Sequence, residues 1–200
     1  MYDIHHHILP DLDDGPKTTE DALSMARMAE DDGIQVVVTT PHASAIAKQG
    51  GTAQPESRLH RFNWEVQCQR LTLRVVGGVE YLMEPDLPDR AARSEVLTLN
   101  GSRYILVELD FTQFPLYTHD VLFRLQLGGL VPVIAHPERQ ATVQKDVGLV
   151  EQMVARGALM QVTAGSFLGV FGRPARECAR RMLERGLMHV VASDAHSPRG

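Results

Sequence analysis

Histidine, aspartate and glutamate side chains recur along this 200-residue chain at positions where they could bind metal ions. Imidazole and carboxylate groups without thiolate suit zinc, manganese or iron, and a carboxylate can bridge two cations about 3.5–4 Å apart. Such a pair lowers the pKa of a bound water and neutralises phosphoryl oxygens, which favours phosphoester hydrolysis. The candidate ligands lie at or just after the ends of predicted strands: His5, His7, His42, Glu80, Glu108, His136, Asp194 and His196.

The histidines at the start of the chain have the spacing of paired ligands. In an extended segment alternate side chains share a face, so His5 and His7 can bind one ion while His6 points elsewhere. A remnant of a purification tag is the alternative interpretation of three consecutive histidines. The apolar residues that follow, Ile8 and Leu9, instead indicate that the histidines belong to a strand of the fold.

Taken singly, the other candidates also have structural interpretations. His42 follows Thr-Pro and would more often be a turn residue, whereas His136 alone favours neither interpretation. Asp194 could cap a helix, and Glu80 and Glu108 could form ion pairs at the edge of a sheet. The combination favours metal binding, because six of seven predicted strands carry a ligand type at the same end.

The elements that would position these residues alternate between helix and strand. A first helix face at Ala22, Met25, Ala26 and Ala29 ends near Gly33, and similar faces precede later strands. Short apolar runs, typical of parallel strands, are predicted at residues 2–4, 35–40, 73–79, 104–109, 131–135, 159–163 and 188–193. This order predicts an α/β fold, and the ligand positions favour a barrel because the carboxyl ends of barrel strands converge on one mouth.

Other segments are predicted to have no catalytic role. Residues 43–55 read as a mobile loop before a helix over residues 56–70, and His60, His119 and His189 read as structural or surface residues. Cys68 and Cys178 are widely separated, so both are interpreted as packing residues and not as a disulfide or a thiolate zinc site.

Composition and motifs exclude several classes of function. The net charge of −5 and pI of about 6.0 give no global attraction for nucleic acid or for an anionic membrane. No apolar run is long enough to insert into a membrane and the start lacks the pattern of a signal peptide, so a cytoplasmic location is expected. The glycine pairs match no nucleotide-binding fingerprint, and no Ser-His-Asp or Cys-His nucleophile set is present.

Six motifs carry a resemblance over almost the whole chain: DIHHHILPDLDDGPKT, TTPH, GGVEY, VELDF, VIAHPER and VVASDAH. In this order they resemble the polymerase-and-histidinol-phosphatase (PHP) superfamily and, within it, the protein-tyrosine phosphatases of bacterial capsule loci. The resemblance implies a single domain over residues 1–200 with a distorted (β/α)7 TIM-like barrel. It also implies two or three divalent metals, usually manganese with iron or zinc as alternatives, and a substrate that is phosphotyrosine on a tyrosine kinase of polysaccharide export.

The resemblance also implies a role for each matching residue. His5, His7, Glu80 and Asp194 would hold a first metal, and Glu80 would bridge to a second metal held by Glu108 and His136. Asp14, His42 and His196 would hold a third metal, although the position of Asp14 in an acidic loop does not by itself indicate a ligand. Arg139 would grip the phosphate with its guanidinium fork, and Arg199 would stand in for a second phosphate-contacting arginine.

The chain departs from the family pattern at its end. Family chains usually continue for some tens of residues after the SDAH motif, so the resemblance implies a barrel without the usual C-terminal helix. Two alternatives to a protein-tyrosine phosphatase are kept: a phosphatase for a small metabolite such as histidinol phosphate, and a non-catalytic module that binds phosphotyrosine or docks on a kinase. A nuclease of the superfamily is disfavoured by the acidic charge. The oligomeric state is left open.

Overall fold

The computed structural model describes residues 1–49 and 53–198, and its contacts divide the chain into two compact units. The first unit comprises the described residues of Met1–Glu80, Leu97–Ser102 and Asp194–Gly200. The second comprises Tyr81–Val96 and Arg103–Ser193. The single domain over residues 1–200 stays a prediction.

The first unit contains a parallel sheet in the order β1-β2-β3. Its strands are β1 (Tyr2–His6), β2 (Val36–Thr39) and β3 (Arg74–Gly77). Its helices are α1 (Thr19–Asp31), α2 (Ala43–Lys48) and α3 (Ala53–Cys68). Each strand ends one to three residues before a predicted metal ligand. Because the strands are parallel, these ligands lie at the same edge of the sheet.

Helix α1 follows directly from its sequence. The Thr18 hydroxyl accepts a hydrogen bond of 3.1 Å from the backbone N–H of Asp21, which caps the first turn. The predicted face of Ala22, Met25, Ala26 and Ala29 is buried, and Gly33 ends the helix with a φ of 79° that favours glycine. The helix therefore runs back along the sheet and returns the chain to the start of β2.

The second unit is built on a longer sheet in the order β4-β5-β6-β7-β8, and the pairs from β5 to β8 are parallel. Strand β4 (Glu80–Leu82) starts at the last residue of the first unit's longest segment. The remaining strands are β5 (Tyr104–Glu108), β6 (Val131–Ala135), β7 (Leu159–Thr163) and β8 (Val190–Ala192). The helices are α4 (Leu87–Ala92), α5 (Thr118–Leu127), α6 (Ala141–Lys145), α7 (Gly148–Ala155), α8 (Ala164–Leu168) and α9 (Gly172–Glu184).

The central strands of the second unit, β5, β6 and β7, are buried on both faces. Ile105, Leu106 and Val107 follow one another in β5 and all are fully buried, although successive side chains point to opposite faces. This burial explains why the strands read as continuous apolar runs and not as alternating ones. The prediction of an α/β fold with parallel strands is confirmed. Among the described residues, no helix has the length and apolarity needed to cross a membrane.

Two sequence-based expectations are wrong, and one is confirmed with shifted bounds. The loop predicted over residues 43–55 contains helix α2 and the start of α3, because its alanines are good helix formers and Ile46 is buried; residues 50–52 lie outside the described part. The helix predicted over residues 56–70 is α3, which starts earlier and ends at Cys68. Cys68 is exposed at the end of that helix and is not a packing residue, whereas Cys178 is buried as predicted.

Candidate metal centre

The end of β1 and two later segments of the first unit meet through backbone hydrogen bonds. The N–H of Asp194 donates to the carbonyl of His5 at 2.9 Å, and the N–H of His7 donates to the carbonyl of Ala195 at 3.0 Å. A bridge also joins His42 to Glu80. These links fix the backbones of residues that are far apart in sequence, so their side chains start from neighbouring positions.

Four side chains form the most buried cluster of this unit: His5, His7, Glu80 and Asp194. The Nε2 atoms of His5 and His7 are 3.2 Å apart. The Oε2 atom of Glu80 lies 3.4 Å from His5 Nε2 and 3.5 Å from His7 Nε2. The Oδ1 atom of Asp194 lies 3.2 Å from His5 Nε2 and 3.6 Å from His7 Nε2. All four residues are at most 7% exposed.

The spacings among His5, His7 and Glu80, whose ligand atoms lie within 4.8 Å of one another, fit one divalent cation, and Asp194 lies beside both histidines. Ligand atoms about 2.0–2.2 Å from a tetrahedral metal lie about 3.3–3.6 Å from one another. Two neutral imidazoles and two carboxylates are also a donor set that zinc, manganese or iron accepts. A metal would compensate the negative charge of Glu80 and Asp194, which is costly to bury otherwise.

A second group lies beside the first and is more exposed. The Oδ1 atom of Asp14 is 3.5 Å from His42 Nε2 and 3.4 Å from His196 Nε2. His7 stacks on His196 with ring centroids 3.9 Å apart, and one ligand atom from each of these four residues falls within a 4.8 Å group. The other nitrogen of His42, Nδ1, is 3.1 Å from Glu80 Oε2. His42 therefore faces both groups.

In His7 and His196, hydrogen bonds at Nδ1 leave the other ring nitrogen, Nε2, available to bind a cation. The Nδ1 of His7 is 2.6 Å from Asp13 Oδ2, and burial opposes ionisation of Asp13, but the hydrogen bond to His7 outweighs it and lowers the pKa of Asp13 to about 2. Ionised Asp13 keeps the proton on His7 Nδ1 and leaves the Nε2 lone pair for a ligand bond. The Nδ1 of His196 likewise donates to the Asp194 carbonyl at 2.8 Å.

The electrostatics of the histidines differ with their partners. Burial opposes protonation of His7, but its hydrogen bonds to Asp13 and Glu80 raise the pKa of His7 above its usual value. Burial lowers the pKa of His196 and lowers that of His6 to about 4. His6 belongs to none of the ligand groups of the described residues, as its position between two ligands predicted. The backbone N–H of His6 donates a hydrogen bond to the Thr40 hydroxyl at 3.1 Å.

The loop between β1 and α1 requires a glycine. A Cβ at Gly15 would overlap the carbonyl oxygen of His7, so only glycine allows this approach. The N–H of Gly15 donates to Asp13 Oδ1 at 2.9 Å, and the N–H of His42 donates to Asp13 Oδ2 at 3.2 Å. Asp194 has a left-handed φ of 53°, which is a strained value for a non-glycine residue and is common at functional positions.

The second unit carries Glu108 at the end of β5 and His136 directly after β6. His136 has a left-handed φ of 33°, its N–H donates to Gln161 Oε1 at 3.3 Å, and its ring stacks on Phe111 at 5.5 Å. Gln161 lies in β7, the strand in which the sequence indicated no ligand type. That strand therefore supports His136 through a neutral amide.

The segment after His136 is held by a buried carboxyl group. Glu138 Oε1 accepts hydrogen bonds from the N–H of Thr163 at 3.0 Å and from the Ser166 hydroxyl at 2.7 Å. Burial raises the pKa of Glu138. The guanidinium of the next residue, Arg139, lies 4.8 Å from the centre of the Phe111 ring and 4.1 Å from that of Phe171. Arg139 therefore makes cation–π contacts with two aromatic rings, which limit its movement.

Comparisons with known proteins identify the family of the chain. The model of the family "Capsular polysaccharide synthesis, CpsB/CapC" matches residues 1–200. The chain belongs to the CpsB/CapC family.

Relatives in this family are named for one activity. The tyrosine-protein phosphatase YwqE of Bacillus subtilis is 36% identical over 197 residues, which cover 98% of this chain and 78% of YwqE. The tyrosine-protein phosphatase CpsB of Streptococcus pneumoniae is 30% identical and covers 98% of this chain and 83% of CpsB. A chain from the crystal structures of these two proteins, described as unique metal-dependent tyrosine phosphatases, matches with a TM-score of 0.89 and 35% identity over 98% of this chain and 80% of that chain.

The predicted site residues of this CpsB/CapC chain are divided between the two units. The first unit brings together the predicted residues His5, His7, Asp14, His42, Glu80, Asp194 and His196. Glu108, His136 and Arg139 lie in the second unit, and their roles stay predictions. Arg199 falls outside the described residues. Sequence reasoning missed Asp13 and Glu138, although the doubled acid of the DDG motif and the HPER motif contained them.

Proposed function

We propose that this CpsB/CapC chain is a divalent-metal-dependent phosphoric monoester hydrolase whose substrate is phosphotyrosine in a protein. The observation that carries the proposal is the buried cluster of His5, His7, Glu80 and Asp194, in which the ligand atoms of His5, His7 and Glu80 have the spacing of a cation's coordination shell and Asp194 lies beside both histidines. The relatives YwqE and CpsB, both named tyrosine-protein phosphatases, support the choice of substrate.

The residues of the cluster have separate tasks in this proposal. His5 and His7 supply neutral nitrogens, and Asp13 orients His7 so that Nε2 faces the cation. Glu80 faces His5, His7 and His42 and is the residue suited to bridging two ions. When bound, divalent cations activate a water nucleophile and neutralise the phosphoryl group. No side-chain nucleophile is needed, which agrees with the buried position of Cys178.

Arg139 is the residue we assign to the phosphate. Its guanidinium can form two parallel hydrogen bonds to phosphate oxygens, and the rings of Phe111 and Phe171 limit its movement before substrate binds. Glu108 and His136 are proposed as further metal ligands because their residue types and their places at strand ends match those of the first unit. The resemblance to the family supports both of these roles.

The finer assignments of cofactor and partner follow the family. We propose two or three ions, with manganese as the physiological metal and iron or zinc as alternatives. The proposed protein substrate is the phosphorylated tail of a bacterial tyrosine kinase that acts in polysaccharide synthesis. Hard carboxylate ligands and neutral imidazoles are compatible with manganese, which supports this choice over metals that prefer thiolate.

The test is a metal-dependent phosphatase assay. Protein stripped with a chelator and reloaded with manganese should release phosphate from p-nitrophenyl phosphate and from phosphotyrosine peptides. His5→Ala should lose at least about 100-fold in kcat/KM, because a direct ligand is removed. His60→Ala, an exposed histidine of α3, is the matched control and should retain activity.

Three other results of this assay would contradict the proposal or favour an alternative function. Turnover that is unaffected by chelator would contradict the metal mechanism. Faster turnover of histidinol phosphate than of any phosphopeptide would indicate a metabolite phosphatase. Binding of a phosphotyrosine peptide by the metal-loaded protein without turnover would indicate a non-catalytic module.

A further inference from the structure

A cavity of about 520 Å³ lies in the first unit beside the loop between β1 and α1. One side of it is a face of helix α3 formed by Arg58, Arg61 and Phe62, and Lys17 closes it from the loop. We call it the α3 cavity. None of its cationic residues belongs to the ligand groups described above, so the metal centre does not account for it.

The cations of the α3 cavity have neutral partners. Arg58 donates from Nη1 to the carbonyls of Pro10 at 2.9 Å and Asp11 at 2.8 Å, and from Nη2 to the Gln49 side-chain oxygen at 2.8 Å. Lys17 donates to the backbone carbonyl of Asp13 at 2.6 Å. These bonds orient the side chains but leave their positive charges uncompensated.

The balance of charge in the cavity is positive. Three cationic residues line it against two acids, Asp11 and Glu65, a difference of +1. Within the described part of the chain, no carboxylate forms an ion pair with Lys17, Arg58 or Arg61. Glu65 is seven residues beyond Arg58 on α3, which places it about 10 Å further along the helix axis. Asp11 lies at the end near Arg58, which donates to its backbone carbonyl, and Glu65 lies one turn beyond Arg61, so the cavity as a whole keeps the net positive charge that suits a negatively charged group.

The α3 cavity adjoins the metal ligands. Lys17 also lines a neighbouring cavity of about 410 Å³, whose other lining residues include Asp14 and His42. Lys17 therefore stands between the candidate metal centre and the arginines of α3. An extended peptide advances about 3.3 Å per residue, so a chain that leaves the metal centre passes Lys17 within a few residues.

We propose that the α3 cavity is a subsite for an acidic side chain of the protein substrate, one to three residues from the phosphotyrosine. This proposal rests on the phosphotyrosine activity proposed above and adds a preference for sequence around the phosphorylated residue. Asp or Glu fits because a carboxylate would compensate Arg58 and Arg61, whose present partners are neutral or solvent.

The experiment compares two phosphotyrosine peptides, one with Glu and one with Gln at the three positions on each side of the phosphotyrosine. The manganese-loaded protein and Arg61→Glu are assayed with both peptides. We expect the ratio of kcat/KM for the Glu peptide to that for the Gln peptide to fall by about five-fold or more in Arg61→Glu, which corresponds to about 1 kcal/mol for an exposed ion pair. The change should appear in KM and should shrink at high salt.

Arg74→Glu is the matched control. Arg74 is an exposed residue at the start of β3, the opposite end of the strand from the ligands, and its replacement changes the net charge by the same amount. It should leave the ratio unchanged. An unchanged ratio in Arg61→Glu, or an equal fall in both variants, would overturn the subsite alone. If the manganese-loaded wild-type protein hydrolyses neither peptide, the phosphotyrosine activity is refuted and the subsite with it.

Discussion

Replacing Asp13 by Asn should weaken metal binding without removing any metal ligand. The Asp13 carboxylate accepts hydrogen bonds from His7 Nδ1 at 2.6 Å, from the N–H of Gly15 at 2.9 Å and from the N–H of His42 at 3.2 Å. An Asn that turned its NH₂ group toward His7 would require Nδ1 to accept, which moves the ring proton to Nε2 and blocks that ligand. An Asn that turned its oxygen toward His7 would accept the same bond without charge.

The structure sets the size of this effect. Carboxylates that orient a ligating histidine typically contribute 10- to 100-fold in metal affinity, or about 1.4–2.7 kcal/mol. The shift of the pKa of Asp13 from 3.8 to about 2 corresponds separately to about 2 kcal/mol in the free energy of unfolding, and it keeps Asp13 ionised at pH 7. Because the folded-state pKa is lowered, this stabilisation is present above about pH 4 and is lost as the pH falls toward 2. The full effect is therefore expected at pH 7.

The assay is calorimetric titration of chelator-stripped protein with manganese at pH 7. Asp13→Asn should show a dissociation constant 10- to 100-fold higher than that of the wild type. Asp11→Asn is the control, because Asp11 is exposed in the same loop and its left-handed φ of 54° suits Asn. If Asp13→Asn unfolds in a single cooperative transition and binds manganese within two-fold of the wild-type protein, the assignment of Asp13 as the orienting residue is refuted.

Three further predictions concern the second unit and the cysteines. Glu138→Ala should lower the free energy of unfolding by about 2–4 kcal/mol in urea denaturation, because it leaves two buried donors without an acceptor, and a loss below about 0.5 kcal/mol would contradict this. Iodoacetamide at pH 8 should label exposed Cys68 but not Cys178 in the native protein, because burial raises the pKa of the Cys178 thiol to about 11; mass spectrometry showing equal labelling would refute this. Phe171→Ala should lower kcat/KM for p-nitrophenyl phosphate about two- to five-fold by releasing Arg139, while Phe171→Tyr keeps the ring and should not; equal values for both variants would contradict the role of the ring.

Most of the strands and most of the ligand residues in the first unit could be predicted from the sequence. Apolar runs define buried parallel strands, and a ligand-type residue at the end of each run lies at a known edge of the sheet. His5 and His7 could be paired from their spacing alone, because alternate side chains of an extended chain share a face. Asp14 required the resemblance, since nothing in an acidic loop distinguishes a ligand from a solvated carboxylate.

The supporting residues could not be predicted because their roles depend on how loops turn. Asp13 reaches His7 only because the chain reverses between them, where Asp11 N–H donates to the Pro16 carbonyl at 2.9 Å. Glu138 accepts from residues of β7 and α8 that are 25 and 28 positions away, a contact with no periodic signal. Helix α2 was missed because its small and polar residues resemble a loop, and its only buried residue is Ile46.

The most direct test is crystallography of the manganese-loaded protein with anomalous diffraction at the manganese edge. The proposed centre predicts a peak within about 2.0–2.3 Å of His5 Nε2 and His7 Nε2, with Glu80 and Asp194 completing its coordination. Loaded crystals with no peak beside these four residues, or with manganese bound only elsewhere on the molecule, would contradict it.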